Sequence, residues 1–343
     1  MVPRQGKKRA NLRDVARLAE VSVATVSRVL NSPEIVHKET RQRVEAAITE
    51  LNFVPSAAAR AINSGRSRIV GALVPTLNSD IFAQTIDVME NRLGDFGISL
   101  VVATTNDDRH VEARKAQELL DIGVEGLFLS GITHNEALHA LIERTRVPTI
   151  AMSYFDPDYH LPTIGYDNFA AGRIALEHLI ELGHRCIAVI HGPSHDNDRT
   201  RQRLAGISSL GDKFELKFFE TELNVRGGCR ATTSSLQEKT SFDAYLCVTD
   251  VLAFGVIFEL QRQGLNVPND ASVMGLHDLP SSQMTHPRLS TVRLPVPEMG
   301  NGAAGALANW IENDERPESI CYPSKLVPRD STRSRSAGLA DPD

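Results

Sequence analysis

The chain has 343 residues, 41% hydrophobic and 23% charged, which is ordinary for a water-soluble globular protein and long enough for two or three domains. No run approaches the ~18 consecutive apolar residues of a membrane helix, and no apolar core of a signal peptide follows the basic start, so a cytoplasmic location is expected. The net charge of −6 hides a division: residues 1–68 hold 13 Lys/Arg against 6 Asp/Glu and the remainder 24 against 37, a small basic module suited to a polyanion joined to an acidic body that is not.

Residues 1–10 read as a basic, disordered tail. Asn11 then caps a first helix, with Asp14 three residues on in a capping-box relation. Val15, Ala16 and Ala19 share one face. A tight turn at Glu20-Val21 leads to Ser22, the cap of a second helix over residues 23–30. Val26, Val29 and Leu30 face inward there, Val23, Ala24, Ser27 and Arg28 face out, and Asn31-Ser32-Pro33 stops the helix. A third helix over 38–51 buries Val44, Ala47, Ile48 and Leu51 at helical spacing. Two short helices joined by a tight turn and backed by a third make a helix-turn-helix module. Its second helix enters the major groove, where Arg28 can pair with guanine O6/N7 or a phosphate, and Val23 and Ala24 can meet thymine methyls. Any one of these residues alone is better read as plain surface; the caps, the turn and the exposed face together favour DNA.

The strings Leu12-Arg13-Asp14-Val15-Ala16 and Val21-Ser22-Val23-Ala24-Thr25-Val26-Ser27-Arg28-Val29-Leu30-Asn31 closely resemble the head of the lactose/galactose repressor (LacI/GalR) family. Thr40-Arg41-Gln42-Arg43-Val44 and Leu51-Asn52-Phe53-Val54-Pro55 continue the match. The resemblance implies a DNA-binding head over 11–55, with Val23, Ala24, Ser27, Arg28 and Asn31 in the major groove and Leu12, Ser22 and Thr25 on the DNA backbone. It also implies a hinge helix over 56–66 that orders when two copies pair in the minor groove. Ala59 and Ile62 would sit in that groove, Ile62 where the family usually has a leucine wedge. Taken alone, this alanine-rich stretch is too short for a stable helix in water, and a plain linker is the alternative. Two positions depart from the family: Glu20 replaces the customary turn glycine, and His37 stands where a capping Ser or Thr is usual.

From residue 69 onward, apolar runs alternate with helical patterns. Strands are expected at 69–75, 99–105, 126–130, 148–153, 163–167, 186–192, 214–219, 245–249, 272–277 and 291–294. This is an α/β body, and the strand number suggests two parallel-sheet subdomains. Its fold resembles a periplasmic sugar-binding protein, with crossings at Asp167-Asn168 and at 290–297. Lobe one is expected at about 67–166 and 295–318, and lobe two at about 167–292 and 319–330. The polar tail, 331–343, has no leucine heptad and is expected to be disordered, so a homodimer is expected rather than a tail-linked tetramer.

Ligands of open α/β sheets sit beyond the carboxyl ends of the strands. That rule nominates Asn78, Phe82, Ser130, Thr249 and His277 as effector contacts, with a purely structural role the competing reading for Phe82, Ser130 and Thr249. Arg203 matches the family's effector-binding arginine, and a guanidinium there needs an anionic or hydroxylated partner. His277 stands where an acid is common; it can donate a hydrogen bond or carry charge, which suits a carboxylate or phosphate better than a neutral hexose. Pro75-Thr76-Leu77 with Phe82, Asp167-Asn168-Phe169 and Gly275-x-His277 resemble gluconate-utilisation repressors, which makes a sugar acid the leading effector.

The four cysteines (Cys186, Cys229, Cys247, Cys321) include no CxxC pair, so neither a zinc site nor a cofactor is expected. An α/β enzyme remains an alternative, but the body lacks GxGxxG after its first strand, a P-loop and a nucleophile elbow. A periplasmic binding protein is another, opposed by the DNA head. The expected partners are a near-palindromic duplex operator and a small-molecule effector, whose binding rotates the lobes and resets operator affinity by a coupling of ~1–3 kcal/mol.

Overall fold

A computed structural model describes residues 10–54, 65–210 and 214–335. The chain divides into two compact units, Met1–Ser67 and Arg68–Asp343. The hinge residues Ala59 and Ile62 lie outside the described residues, as does the side chain of Asn31.

The first unit holds α1 (Leu12–Leu18), α2 (Val23–Asn31), a 3₁₀ turn at Pro33–Ile35 and α3 (Lys38–Glu50). Asn11 and Asp14 form the complete capping box, and the Ser22 side chain accepts from the Thr25 amide. Val15, Val26 and Val44 have no exposed surface and form the centre of a small core shared by all three helices. Ala10 packs partly against this core, so the expected disordered tail stops short of it.

Both departures from the family leave a local cost. Glu20 adopts φ +54°, a left-handed conformation that side chains with a Cβ resist. His37 occupies the N-cap of α3 and makes no side-chain capping bond. Glu20→Gly is therefore expected to stabilise the head by roughly 0.5–1 kcal/mol, the relieved strain less glycine's greater freedom when unfolded. Hydrogen exchange of α1 and α2 amides in the full chain reads this out as slower opening; unchanged exchange would count against it.

The second unit begins with β1 (Ile69–Val74), α4 (Asp80–Asp95), β2 (Ser99–Thr104), α5 (Arg109–Asp121), β3 (Leu127–Ser130), α6 (Glu136–Thr145), β4 (Thr149–Met152) and β5 (Thr163–Gly165). It continues with α7 (Asn168–Glu181), β6 (Cys186–His191), α8 (Asp198–Ser208), β7 (Glu215–Glu220), α9 (Val225–Leu236), β8 (Ala244–Cys247), α10 (Asp250–Arg262), β9 (Ser272–His277) and β10 (Ser290–Arg293). The chain ends with α11 (Val296–Asn313), β11 (Ile320–Cys321) and β12 (Lys325–Val327).

Two six-stranded sheets result, ordered β11-β5-β4-β3-β1-β2 and β12-β10-β9-β8-β6-β7. All pairings are parallel except β10 with β12. The central strands are buried along most of their length, as parallel strands covered on both faces must be. Helix starts are specified locally: Asp108, Asn135, Asp167, Asn197, Asn224 and Thr249 each accept an amide of the helix they begin.

The chain passes between the sheets three times, after β5, after β10, and between β11 and β12. The third passage corrects the expected lobe boundaries: Ile320 and Cys321 pair with Ile164 and Gly165 in the first sheet, so lobe one extends past residue 318. The tail assignment also changes for residues 331–335. Ser331 is fully buried and its hydroxyl donates to the Val273 carbonyl, Thr332 meets His178, and Arg333 binds Asn269. Residues 336–343 lie outside the described residues.

Candidate functional site

On the head, α2 presents Val23, Ala24 and Arg28 to solvent, with Ser27 partly exposed and Val23 41% exposed. The Arg28 guanidinium makes no ion pair with another described residue. Ser22 is engaged as the cap and lies 2.9 Å from the Thr25 hydroxyl, while Leu12 packs partly into the head core. A small, uncrowded apolar patch beside a free cation on one helix is a surface able to enter a groove and meet base edges.

In the body, the carboxyl ends of both sheets face a cleft that encloses about 910 Å³ of free space, including its mouth. Asn78 and Phe82 line it from the segment that enters α4, and Arg203, Thr249 and His277 line it from the second lobe. Thr249 has its hydroxyl committed to capping α10. Ser130 is not brought to this cleft; it lines a smaller adjoining recess with Asp198 and Arg199. Directly after it, Gly131 turns the chain with φ +82°.

Arg203 dominates the chemistry. Helices α7 and α8 cross with their backbones nearly touching: a Cβ on Gly206 would lie 2.0 Å from the Phe169 carbonyl, and one on Gly172 2.2 Å from that of Arg203. This contact drives the Arg203 side chain, 4% exposed, into the cleft wall. Its Nε donates to Asn168 Oδ1 at 3.0 Å, and one terminal nitrogen donates to the Val248 carbonyl at 3.0 Å and His277 Nε2 at 3.1 Å. Asn168 is itself fixed by donating 2.9 Å to the Ser153 carbonyl.

Every acceptor around Arg203 is neutral, and no carboxylate among the described residues pairs with it. Burial draws its pKa downward and Arg199 one turn away acts in the same sense, while Tyr166 and the Asp198 carboxylate act against them. Burial, then the charge of Arg203, hold the His277 pKa well below the ordinary histidine value. His277 is therefore neutral, accepts at Nε2 and carries its proton on Nδ1. Of the two roles expected for it, this environment favours the neutral imidazole, which leaves Nδ1 as a donor.

Asp250 was passed over as a site residue in the sequence, yet it organises the second lobe's rim. Its carboxylate accepts from the Leu279 amide at 2.8 Å, Ser282 Oγ at 2.7 Å and Thr291 Oγ1 at 2.6 Å. Burial, partly offset by these donors, raises its pKa to about 6. The folded body thus holds a proton that the unfolded chain releases above its usual value of 3.8. The stability this supplies is full below that value and is lost as pH rises through about 6. Asp250→Asn is expected to remove that component, flattening the fall in melting temperature between pH ~4 and ~6; an unchanged profile would contradict it.

Among the described residues, no group of three or more His, Cys, Asp or Glu is placed to hold a metal ion, and no helix is long and apolar enough to cross a membrane.

Comparison with known proteins supplies the context. Residues 11–56 match the family described as bacterial regulatory proteins, lacI family, and residues 176–332 match a periplasmic binding protein-like domain. The ribose operon repressor of Haemophilus influenzae is 30% identical over 332 residues, covering 95% of this chain and 99% of that protein. The transcriptional repressor PurR of Escherichia coli O1:K1 is 30% identical over 330 residues, covering 94% and 96%. Among solved structures, the Lac repressor dimer bound to operator and the anti-inducer ONPF superposes with a TM-score of 0.86 at 27% identity, covering 95% of this chain and all of that one.

Proposed function

The chain belongs to the LacI family of bacterial regulatory proteins, and from that footing we propose that it is a cytoplasmic, homodimeric transcriptional repressor that reads a near-palindromic operator and answers to an anionic sugar acid. The relatives are repressors rather than enzymes, which separates this reading from that of a catalytic α/β body.

The head supports operator reading through the exposed face of α2, with Ser22 and Thr25 at its start beside the DNA backbone. The observation that carries the effector class is Arg203: a buried guanidinium whose hydrogen-bond partners Asn168, Val248 and His277 are all neutral, the Asp198 carboxylate acting on it only at a distance. Buried charge is costly unless paired, so a ligand carboxylate gains an interaction that a neutral sugar does not. His277 adds a second donor, and Phe82 an apolar face for the carbon chain.

Calorimetry of the full chain with gluconate and with neutral hexoses tests this reading. Gluconate is expected to bind and the hexoses to bind weakly or not at all; binding of the neutral sugars alone would sink it. A gel shift with genomic fragments, with and without gluconate, tests the operator half independently.

A further inference from the structure

The first turn of α8 carries a side chain that crosses to the other lobe. Asp198, 2% exposed, accepts from the backbone amides of Ile132 at 2.6 Å and Thr133 at 2.9 Å, both in the loop that follows β3 of the first sheet. Around it, Arg199 donates to Asp198 Oδ1 at 3.2 Å, Arg201 donates to Thr133 Oγ1 at 3.3 Å, and Arg109 pairs with Asp196 at 2.5 Å. None of these residues belongs to a segment where the chain passes between lobes, so parting them breaks no covalent path.

The receiving loop is shaped for the carboxylate. Gly131 holds φ +82°, and a Cβ there would lie 2.5 Å from Asp198 Oδ2 and 2.3 Å from an Arg199 nitrogen. The two amides that converge on Asp198 follow directly from that turn. Burial works against the charged carboxylate, but Arg199 and the donated amides outweigh it and hold its pKa below the ordinary range. The group is therefore an acceptor near neutral pH, and its partners across the lobes include two main-chain amides, with Arg199 of its own helix beside them.

We infer that Asp198 is a latch that holds the two lobes together over the cleft, so that part of the affinity for effector is set by a contact that touches no effector. The same helix carries Arg203, five positions on, into the cleft wall, so the latch fixes the placement of the residue proposed to bind the ligand. When the latch is lost, the closed population falls and apparent effector affinity falls by the same factor. Only this last consequence rests on the cleft's binding an effector; the lobe contact itself does not.

Two measurements on the full chain without ligand test the latch. The first is deuterium exchange of the peptide containing Ile132 and Thr133. The second is the distance between spin labels on the exposed positions Asp121 of lobe one and Gln237 of lobe two, with Cys321 first replaced by Ser. Asp198→Ala and Gly131→Ala are each expected to speed exchange at least about tenfold, the factor for losing one charge-assisted hydrogen bond, and to lengthen the interlobe distance. Peptides of β1 and β6 should exchange as before, which separates unlatching from unfolding. Asp198→Asn keeps one carbonyl acceptor and is expected to retain part of the protection. Parental exchange and distance in both Asp198→Ala and Gly131→Ala would overturn the inference. A failed gluconate titration would leave it standing, and gluconate binding beside unchanged distances would overturn it alone.

Discussion

Arg28→Ala is expected to cost the dimer about 2–6 kcal/mol of operator affinity, because a base contact worth ~1–3 kcal/mol is lost in both half-sites. That corresponds to roughly thirtyfold to twenty-thousandfold at 25 °C. The expectation rests on the exposed position of Arg28 on α2 and the absence of a competing carboxylate among the described residues. Selection from a randomised operator library should show relaxed preference at one base pair in each half-site. If Arg28 meets only phosphate, the loss will instead be uniform across sequences and the salt slope will fall by about one. That pattern would remove it from the base-reading set.

Arg203→Met is the second large effect. If the effector is the sugar acid proposed, loss of the Arg203 cation from the cleft wall should weaken its binding at least about a hundredfold. At 100 times the parental dissociation constant, the ligand's stabilisation should therefore fall from ~2.7 to about 0.4 kcal/mol or less. Stability without ligand should change far less. Removing a buried unpaired charge is favourable, and this offsets the lost donors to Asn168, Val248 and His277. Thermal melts with and without gluconate separate the two quantities. A companion variant, His277→Asp, replaces the neutral imidazole facing Arg203 with a carboxylate whose charge offsets it. Preference should then shift from gluconate toward neutral sugars; retention of gluconate preference in that variant would contradict the charge argument.

The head was readable because its signals are local: a capping box, a capping serine and apolar residues at helical spacing act within a few residues of one another. The ten expected strands were readable for a related reason, since buried parallel strands leave continuous apolar runs. β11 and β12 left no such trace. They are two and three residues long, lie at sheet edges, and Ile320 and Cys321 are exposed, so nothing in their composition separates them from loop. Ser331 was taken for tail because a serine buried by hydrogen bonds to a neighbouring strand has the same composition as a disordered one.

Proximity to strand ends nominated Asn78, Phe82, Thr249 and His277, and the family pattern Arg203; all five line the cleft. Proximity misplaced Ser130, since the rule says where a strand ends and not which way the next residue turns. Asp198 and Asp250 were missed because their partners are remote: amides 65 and 66 residues away for one, and donors 29 to 41 residues away for the other.

Two bodies joined by a single length of chain can bend, twist and slide past one another. Here three lengths run between the lobes, and the third lies beside both others: β11 is hydrogen-bonded to β5, and β12 to β10. Adjacent tethers share any torsional load, so what survives is chiefly rotation about the line they define. The lobes thereby become a mechanism with close to one degree of freedom, and motion at the cleft has few ways to dissipate before it reaches the far end of the first lobe. Cutting the third tether at residues 322–324 would leave both sheets assembled apart from two edge strands, yet restore torsional slack. Such a nicked protein would still bind in its cleft while transmitting less of that event to the DNA.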